Sequence, residues 1–140
     1  QNLPNFYLLD KNTVDTKIKY GFSENYESYN DLNQTKNILI NNGLLNEQIF
    51  IKNIDEKISI DKKINLVISL KSMGYHYPIE NYIELLRTFC VDETVFIFDV
   101  FGEKYSIEKV KENFKEVNII YEETTAHTLK RLYCKGLNFF

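Results

Sequence analysis

The sequence has few residues of the kinds that build disulfides or metal centres. It contains 2 Cys and 2 His in 140 residues. Cys90 and Cys134 stand far apart in apolar surroundings without metal-ligand spacing, which favours two reduced thiols in a protein core over a disulfide. The two histidines are also widely separated, so the sequence gives little support for metal ligation. We therefore expect a cytoplasmic protein without a metal.

The common signatures of nucleotide binding and hydrolysis are also missing. The sequence has no Gly-x-Gly-x-x-Gly, no Gly-Lys-Thr or Gly-Lys-Ser loop, no Gly-x-Ser-x-Gly and no His-Glu-x-x-His. No apolar run approaches the roughly 18–20 residues that cross a bilayer. A net charge of -3 gives no electrostatic case for nucleic acid or an anionic membrane. We expect neither as a partner.

What the sequence does contain is an alternation of strand and helix patterns, typical of an α/β protein. The length fits a single domain, residues 1–140, with a sizeable core. Helical connections predict a mostly parallel sheet, and the short segment 122–127 predicts that the last two strands are antiparallel. The predicted strands are residues 6–10, 48–52, 65–70, 94–100, 117–121 and 128–134, and the predicted helices are residues 30–42, 79–90 and 106–114.

The stretch 64–78, INLVISLKSMGYHYP, organises this pattern. Its apolar beginning predicts a strand that is buried on both faces. Polar and aromatic residues follow, and Pro78 leads into a helix. Open α/β sheets place their ligands at the carboxyl ends of such strands. We therefore interpret this stretch as the centre of a ligand site.

Acidic residues end three of the predicted strands. Asp10 could bind the hydroxyls of a ribose, because a carboxylate accepts two hydrogen bonds, although a solvated loop aspartate is the commoner case. Asp55 could accept from an adenine amino group or belong to an ordinary turn. Asp99 could bind substrate or cap its strand. The residues alone leave these alternatives open.

The segment after the central strand offers groups for proton transfer and ring binding. His76 can take a proton from a hydroxyl or amine at neutral pH, or it can merely cap the helix. Tyr75 and Tyr77 can stack on a ring or pack under the helix. Lys71 could hold an anionic group, and a solvated lysine is again the commoner case. Gly74 predicts a sharp bend or a close approach to a ligand. Two further features are minor candidates: His127, although most histidines between two such strands are exposed turn residues, and residues 11–29 as a loop or substrate lid.

Taken in order, these features resemble the C-terminal two-thirds of a class I S-adenosylmethionine-dependent methyltransferase. More narrowly, they resemble the bacterial group assigned as sugar O-methyltransferases. The resemblance spans nearly the whole chain and is most specific in the segment SMGYHYP. The residues that carry it are 67–69, 72–78, Tyr82 and 98–100.

The resemblance implies a Rossmann-like sheet of strand order 3-2-1-4-5-7-6, in which residues 6–10 form the second strand and the closing hairpin forms the sixth and seventh. It implies that Asp10 binds the ribose of S-adenosylmethionine and that Asp55 lies near its adenine. Ser69 and Leu70 would lie on the cofactor side of a segment that continues to His76 and faces the acceptor. The acceptor would be a hydroxyl or amine of a small polar molecule. A sugar or nucleotide-linked sugar in surface polysaccharide (capsule) biosynthesis is the implied class.

One departure from the family pattern leaves other functions open. The family's first strand and its Gly-rich loop have no counterpart, so residues 6–10 and 65–70 would each lack a neighbouring strand. We expect these parts in an upstream segment or another chain, and a homo-oligomer is one such arrangement. The 140 residues alone would bind the cofactor poorly. The alternatives are a non-catalytic Rossmann-like partner of a complete methyltransferase, and a nucleotide-sugar-modifying enzyme that uses another cofactor.

Overall fold

The computed structural model describes residues 3–10, 31–102, 106–124 and 128–138. Strands and helices both occur, which confirms the mixed α/β class. The chain divides into two compact units, Gln1–Ser59 and Ile60–Phe140. The elements are β1 (Phe6–Asp10), α1 (Leu32–Asn41), β2 (Ile49–Asn53), β3 (Ile64–Ser69), α2 (Glu80–Phe89), β4 (Cys90–Phe101), α3 (Ile107–Lys111), β5 (Phe114–Thr124) and β6 (Thr128–Leu137).

The first unit contains a two-stranded parallel sheet of β1 and β2, with Phe6 opposite Ile49 and Asp10 opposite Asn53. Between these strands in sequence, α1 begins where the Asp31 carboxylate accepts a hydrogen bond from the backbone N–H of Asn33 at 2.9 Å. This is a typical N-cap, because it satisfies one of the free amides of the first turn. Gly43 follows the helix with φ +96°, a conformation that L side chains rarely adopt. The predicted start and end of this helix are confirmed.

The second unit contains a four-stranded sheet of order β3-β4-β6-β5. β3 and β4 are parallel. β6 runs antiparallel to both of its neighbours, β4 and β5. The predicted antiparallel pairing of the last two strands is confirmed. The sheet is mixed, because β6 is inserted between two strands that share a direction.

The core of the second unit lies on one face of this sheet. Alternate residues of β4 and β6 point to that face and are fully buried, as expected for the period of two in a strand. The Phe114 ring packs at 5.0 Å, centroid to centroid, from the Phe96 ring. α2 adds an apolar stripe and α3 adds Val110. The buried residues of this core are Phe96, Phe98, Val100, Phe114, Leu132, Cys134, Ile83, Leu86, Phe89 and Val110.

The third helix is shorter than predicted. Ser106 caps it, since its hydroxyl accepts from the backbone N–H of Lys109 at 3.2 Å. The helix ends at Lys111 because Phe114 already belongs to β5, where it pairs with Leu137. Burial of the aromatic side chain of Phe114 in a strand ladder outweighs the helical preference of the residues that follow Lys111.

The prediction that the central strand is buried on both faces is wrong. β3 stands at one end of the sheet order of its unit. Its side chains of Leu66 and Ile68 are 50% and 59% exposed. A continuous apolar run indicates a strand, but it does not distinguish an inner strand from an edge strand.

None of the helices in the described ranges is long and apolar enough to cross a membrane.

Candidate functional site

The loop of residues 70–78 follows the carboxyl end of β3 and leads into α2. Its backbone turns tightly around the carbonyl oxygen of Ser72. That oxygen accepts hydrogen bonds from the backbone N–H groups of Tyr75, His76 and Tyr77 at 3.1, 2.8 and 3.1 Å. The three aromatic residues of the loop are therefore presented on a defined turn.

Gly74 anchors this 70–78 loop to the end of β4. It has φ +83°, and a Cβ at this position would lie 3.0 Å from the backbone oxygen of Asp99. The Gly74 carbonyl accepts from the Phe101 N–H at 3.1 Å, and the Gly74 N–H donates to the Tyr77 carbonyl at 2.7 Å. The predicted sharp bend is confirmed. The close approach at Gly74 is to the backbone of β4.

A second anchor of the loop is the side chain of Asp99. The backbone N–H of Lys71 donates to Asp99 Oδ2 at 3.1 Å. Lys71 has φ +53°, and it is the one non-glycine residue in the described ranges with a positive φ. The left-handed region is costly for residues with a Cβ, so a hydrogen bond at this position helps to hold the conformation.

Asp99 also forms an ion pair with Arg131, its directly opposite neighbour on β6. Arg131 Nε donates to Oδ1 at 2.7 Å, and a terminal guanidinium nitrogen donates to Oδ2 at 3.1 Å. The Asp99 side chain is 0% exposed and that of Arg131 is 32% exposed. Two parallel bonds of this kind match the planar guanidinium to a carboxylate.

The Asp99 carboxylate affects the acid–base properties of its partner. Its hydrogen bond raises the pKa of the Arg131 guanidinium above the ordinary value, with a smaller contribution from its charge. The guanidinium also lies over the Tyr121 ring, at 5.8 Å from the centroid. Arg131 is thus a fixed cation, and removing it would leave a buried carboxylate without its counter-charge.

His76 is exposed, as are Leu70 and Lys71 at the start of the loop. Its ring meets the Tyr75 ring edge to face, with centroids 4.9 Å apart. Tyr75 packs in turn against Phe101 at 5.5 Å, and Tyr75 and Tyr77 are both half-buried. An imidazole that is accessible and oriented by a fixed aromatic ring can accept a proton from a bound molecule.

The residues predicted on the cofactor side of the loop lie at the end of β3. The Ser69 hydroxyl accepts from the Met73 N–H at 3.0 Å, so it also helps to close the turn. Leu70 and the side chain of Lys71 are exposed. They are accessible to a ligand at this strand end.

Asp10 and Asp55 lie in the first unit. Asp10 is the last residue of β1, and its carbonyl oxygen accepts from the Ile54 N–H at 3.0 Å just past the end of β2. The Asp55 N–H donates to the Asn53 side chain at 3.2 Å in the same connection. Both carboxylates are exposed, at the carboxyl end of the two-stranded sheet.

The structure therefore collects most of the predicted site residues in one unit. Ser69, Leu70, Lys71, Tyr75, His76, Tyr77 and Asp99 all lie in the 70–78 loop or beside it. Two candidates, His127 and the loop of residues 11–29, lie outside the described residues. No group of three or more His, Cys, Asp or Glu side chains that could hold a metal occurs within the described ranges.

Sequence reasoning missed Arg131. The one available signal is a basic residue within the apolar pattern of β6. Its partner is 32 residues away, and only the register between β4 and β6 brings the two together.

The comparisons with known sequences find no match, whereas the search of solved structures finds similarity. No family model matches the chain. No curated protein matches it. A solved structure from Haemophilus influenzae, described as a candidate methylase, has a TM-score of 0.48 and 22% sequence identity. The match covers 74% of this chain and 65% of the length of that protein. A similarity of this size does not indicate a function.

Proposed function

We propose that the protein is an S-adenosylmethionine-dependent methyltransferase. Its acceptor would be a hydroxyl or amine of a small polar molecule, namely a sugar or nucleotide-linked sugar. The observation that carries the proposal is the exposed His76 on a tightly bonded loop at the carboxyl end of a parallel strand. Ligands of open α/β sheets bind at this end.

The strand pairings support the Rossmann-like arrangement that the proposal needs. β1 pairs with β2, and the other sheet has the order β3-β4-β6-β5. These neighbours agree with the order 3-2-1-4-5-7-6 at every pair that does not involve the first strand. We propose that both units belong to one methyltransferase domain of a cytoplasmic enzyme.

The exposed acids of the first unit fit the adenosine part of the cofactor. Asp10 would accept from the ribose hydroxyls and Asp55 from the adenine amino group, because a carboxylate offers acceptors only. Ser69 and Leu70 would lie nearest the sulfonium. When bound, the cofactor supplies an electrophilic methyl group. No residue of this chain is assigned to its methionine end.

The remaining chemistry belongs to the 70–78 loop. His76 would take the proton from the acceptor hydroxyl or amine as that atom becomes the nucleophile. Tyr75 and Tyr77 would border the acceptor ring, and the exposed Lys71 ammonium would bind a phosphate of a nucleotide-linked sugar. Holding the acceptor in line with the transferred methyl supplies much of the rate.

Calorimetric titration of S-adenosylmethionine into the full-length gene product tests this function. We expect saturable binding heat for the parent protein. Asp10→Asn should weaken the affinity for the cofactor at least tenfold. Asp61→Asn, which changes an exposed acid that follows the first unit, should leave the affinity unchanged. His76→Ala should keep the cofactor affinity. With an acceptor found in a screen of sugars and nucleotide sugars, His76→Ala should release S-adenosylhomocysteine at least 100-fold more slowly than the parent protein. General-base catalysis contributes about 10²–10⁴-fold to a rate.

Two results would contradict the proposal. The absence of both binding heat and a thermal shift with the cofactor would exclude this function. That result would favour the non-catalytic partner subunit, or an enzyme that uses another cofactor. Unchanged turnover in His76→Ala would remove His76 from the mechanism. His127→Ala is the comparison variant for the second result, because it removes the other histidine of the sequence.

A further inference from the structure

We propose that Asp99 and Arg131 are positioning residues that hold the 70–78 loop, and with it His76, in its working conformation. Asp99 would not itself contact the substrate. The inference rests on the proposed function only in making His76 the group whose position matters. It deepens that function by naming a pair that acts through the loop backbone.

The surroundings of Asp99 favour this role over direct binding. Its side chain is 0% exposed. Oδ1 accepts from Arg131 at 2.7 Å, and Oδ2 accepts from both Arg131 and the Lys71 N–H at 3.1 Å. A ligand would have to displace one of these donors from a buried carboxylate, which is unfavourable because the charge needs its partners.

The connection from Asp99 to His76 runs through consecutive backbone contacts. The first contact is the hydrogen bond from the Lys71 N–H to Asp99 Oδ2, which helps to hold Lys71 in the left-handed region. The next residue, Ser72, holds the His76 amide through its carbonyl oxygen at 2.8 Å. Gly74 is packed on the Asp99 backbone and bonded to Phe101, so both anchors of the loop lie at the same end of β4.

Arg131 completes the arrangement from the neighbouring strand. Because it lies opposite Asp99 in the antiparallel register, its guanidinium reaches both carboxylate oxygens. Without it, the buried Asp99 charge would lose its counter-charge and would turn toward water, and the bond to the Lys71 N–H would weaken. A lysine at this position would offer a point charge that cannot make both bonds, so it should restore the loop only in part.

Amide hydrogen exchange of the full chain, followed by NMR, tests the inference. In Arg131→Ala we expect exchange to rise at least tenfold at the Lys71 and His76 amides. The Leu86 amide of α2 should keep its rate. The exchange rates of Arg131→Lys should lie between those of the parent protein and Arg131→Ala. The rates of Asp99→Asn should resemble those of Arg131→Ala. The matched control is Lys115→Ala, which breaks the exposed Lys115–Asp92 ion pair of 2.6 Å in the same unit.

The His76 ring gives a second readout, which a general loss of stability would not move. Its resonances carry the ring-current shift of the adjacent Tyr75 ring at 4.9 Å. At a temperature where each variant is folded, Arg131→Ala should move the His76 signals toward those of free histidine. The Lys115→Ala control should leave them in place.

Either of two outcomes would overturn the inference. One is unchanged exchange in the loop and unchanged His76 signals. The other is a uniform rise in exchange across the whole unit, which would make the pair a general stabiliser. Neither measurement uses S-adenosylmethionine. If the parent protein fails to bind the cofactor but Arg131→Ala loses protection in the loop, the proposed function is disproved. The positioning role of Asp99 and Arg131 would still hold.

Discussion

At the scale of single residues, a few backbone positions decide where the side chains of the loop can lie. Lys71 and Gly74 both have positive φ, at +53° and +83°. Both residues contact the end of β4. Lys71 is hydrogen-bonded to the Asp99 side chain, and Gly74 packs against the Asp99 backbone. The conformation of the 70–78 loop is thus set by its contact with a neighbouring strand.

Gly74→Ala should be more damaging than an alanine at another left-handed glycine. The new Cβ would lie 3.0 Å from the Asp99 carbonyl oxygen and 3.1 Å from Val100 Cγ1, both in a buried strand. Gly43 has φ +96° with nothing within 4 Å of its virtual Cβ. Gly43→Ala therefore measures the backbone cost alone, about 1–2 kcal/mol.

Urea unfolding of the two variants, followed by circular dichroism, gives the comparison. We expect Gly74→Ala to lose at least about 1 kcal/mol more than Gly43→Ala, because overpacking adds to the backbone cost. Equal losses would mean that the loop can move away from β4 without penalty. That result would also weaken the view of β4 as the anchor of the loop.

At the scale of elements, the sequence predicts best where one local signal dominates. Asp31 and Ser106 bind free N–H groups of a first helical turn, and the glycine after α1 takes the left-handed conformation that ends a helix. These signals are local, so the sequence alone predicts them. The end of α3 and the exposure of β3 depend on which strand lies alongside. The bond between Arg131 and Asp99 depends on register, which the residue pattern alone does not specify.

The exposure of β3 has a consequence for solubility. Within the described residues, this strand stands at the end of its sheet, with half-exposed apolar side chains and no charge between Ile64 and Ser69. Edges of this kind promote pairing with other chains, and a lysine opposes it. Ile68→Lys should therefore reduce aggregation and change the free energy of unfolding by less than about 0.5 kcal/mol.

The control for this prediction is the same substitution at a buried isoleucine. Ile83 of α2 is 4% exposed, so Ile83→Lys should lower the melting temperature sharply or prevent folding. Light scattering on heating and the melting temperature separate the two effects. If Ile68→Lys were as destabilising as Ile83→Lys, the outer face of β3 would be part of the core.

At the scale of the whole molecule, the described residues form two units whose polar strand ends carry different parts of the proposed chemistry. The acids proposed for adenosine belong to the first unit, and the base and its positioning pair belong to the second. Both cysteines lie buried in the second unit, as predicted for core thiols. Burial raises the pKa of Cys90 to about 11 and that of Cys134 to about 12.

These two thiols make stability depend on pH in the alkaline range. A free cysteine in the unfolded chain ionises near pH 8.5, whereas the buried thiols keep their protons up to about pH 11 and 12. Below about pH 8.5 both states are protonated and the thiols contribute no pH dependence. Above it the unfolded chain gains charge that the folded chain does not, so the free energy of unfolding falls as the pH rises.

Urea midpoints at pH 7, 8, 9 and 10 would measure this dependence. The double variant Cys90→Ala, Cys134→Ala should be less stable at pH 7, because alanine leaves cavities in the core. Its midpoint should nevertheless fall less steeply between pH 9 and 10 than that of the parent, since all other groups are the same in the two proteins and cancel in the comparison. Parallel slopes would show that the thiols are already ionised or solvated in the folded state. A thiol reagent at pH 8 gives an independent reading, because a buried protonated thiol should react only when its unit unfolds.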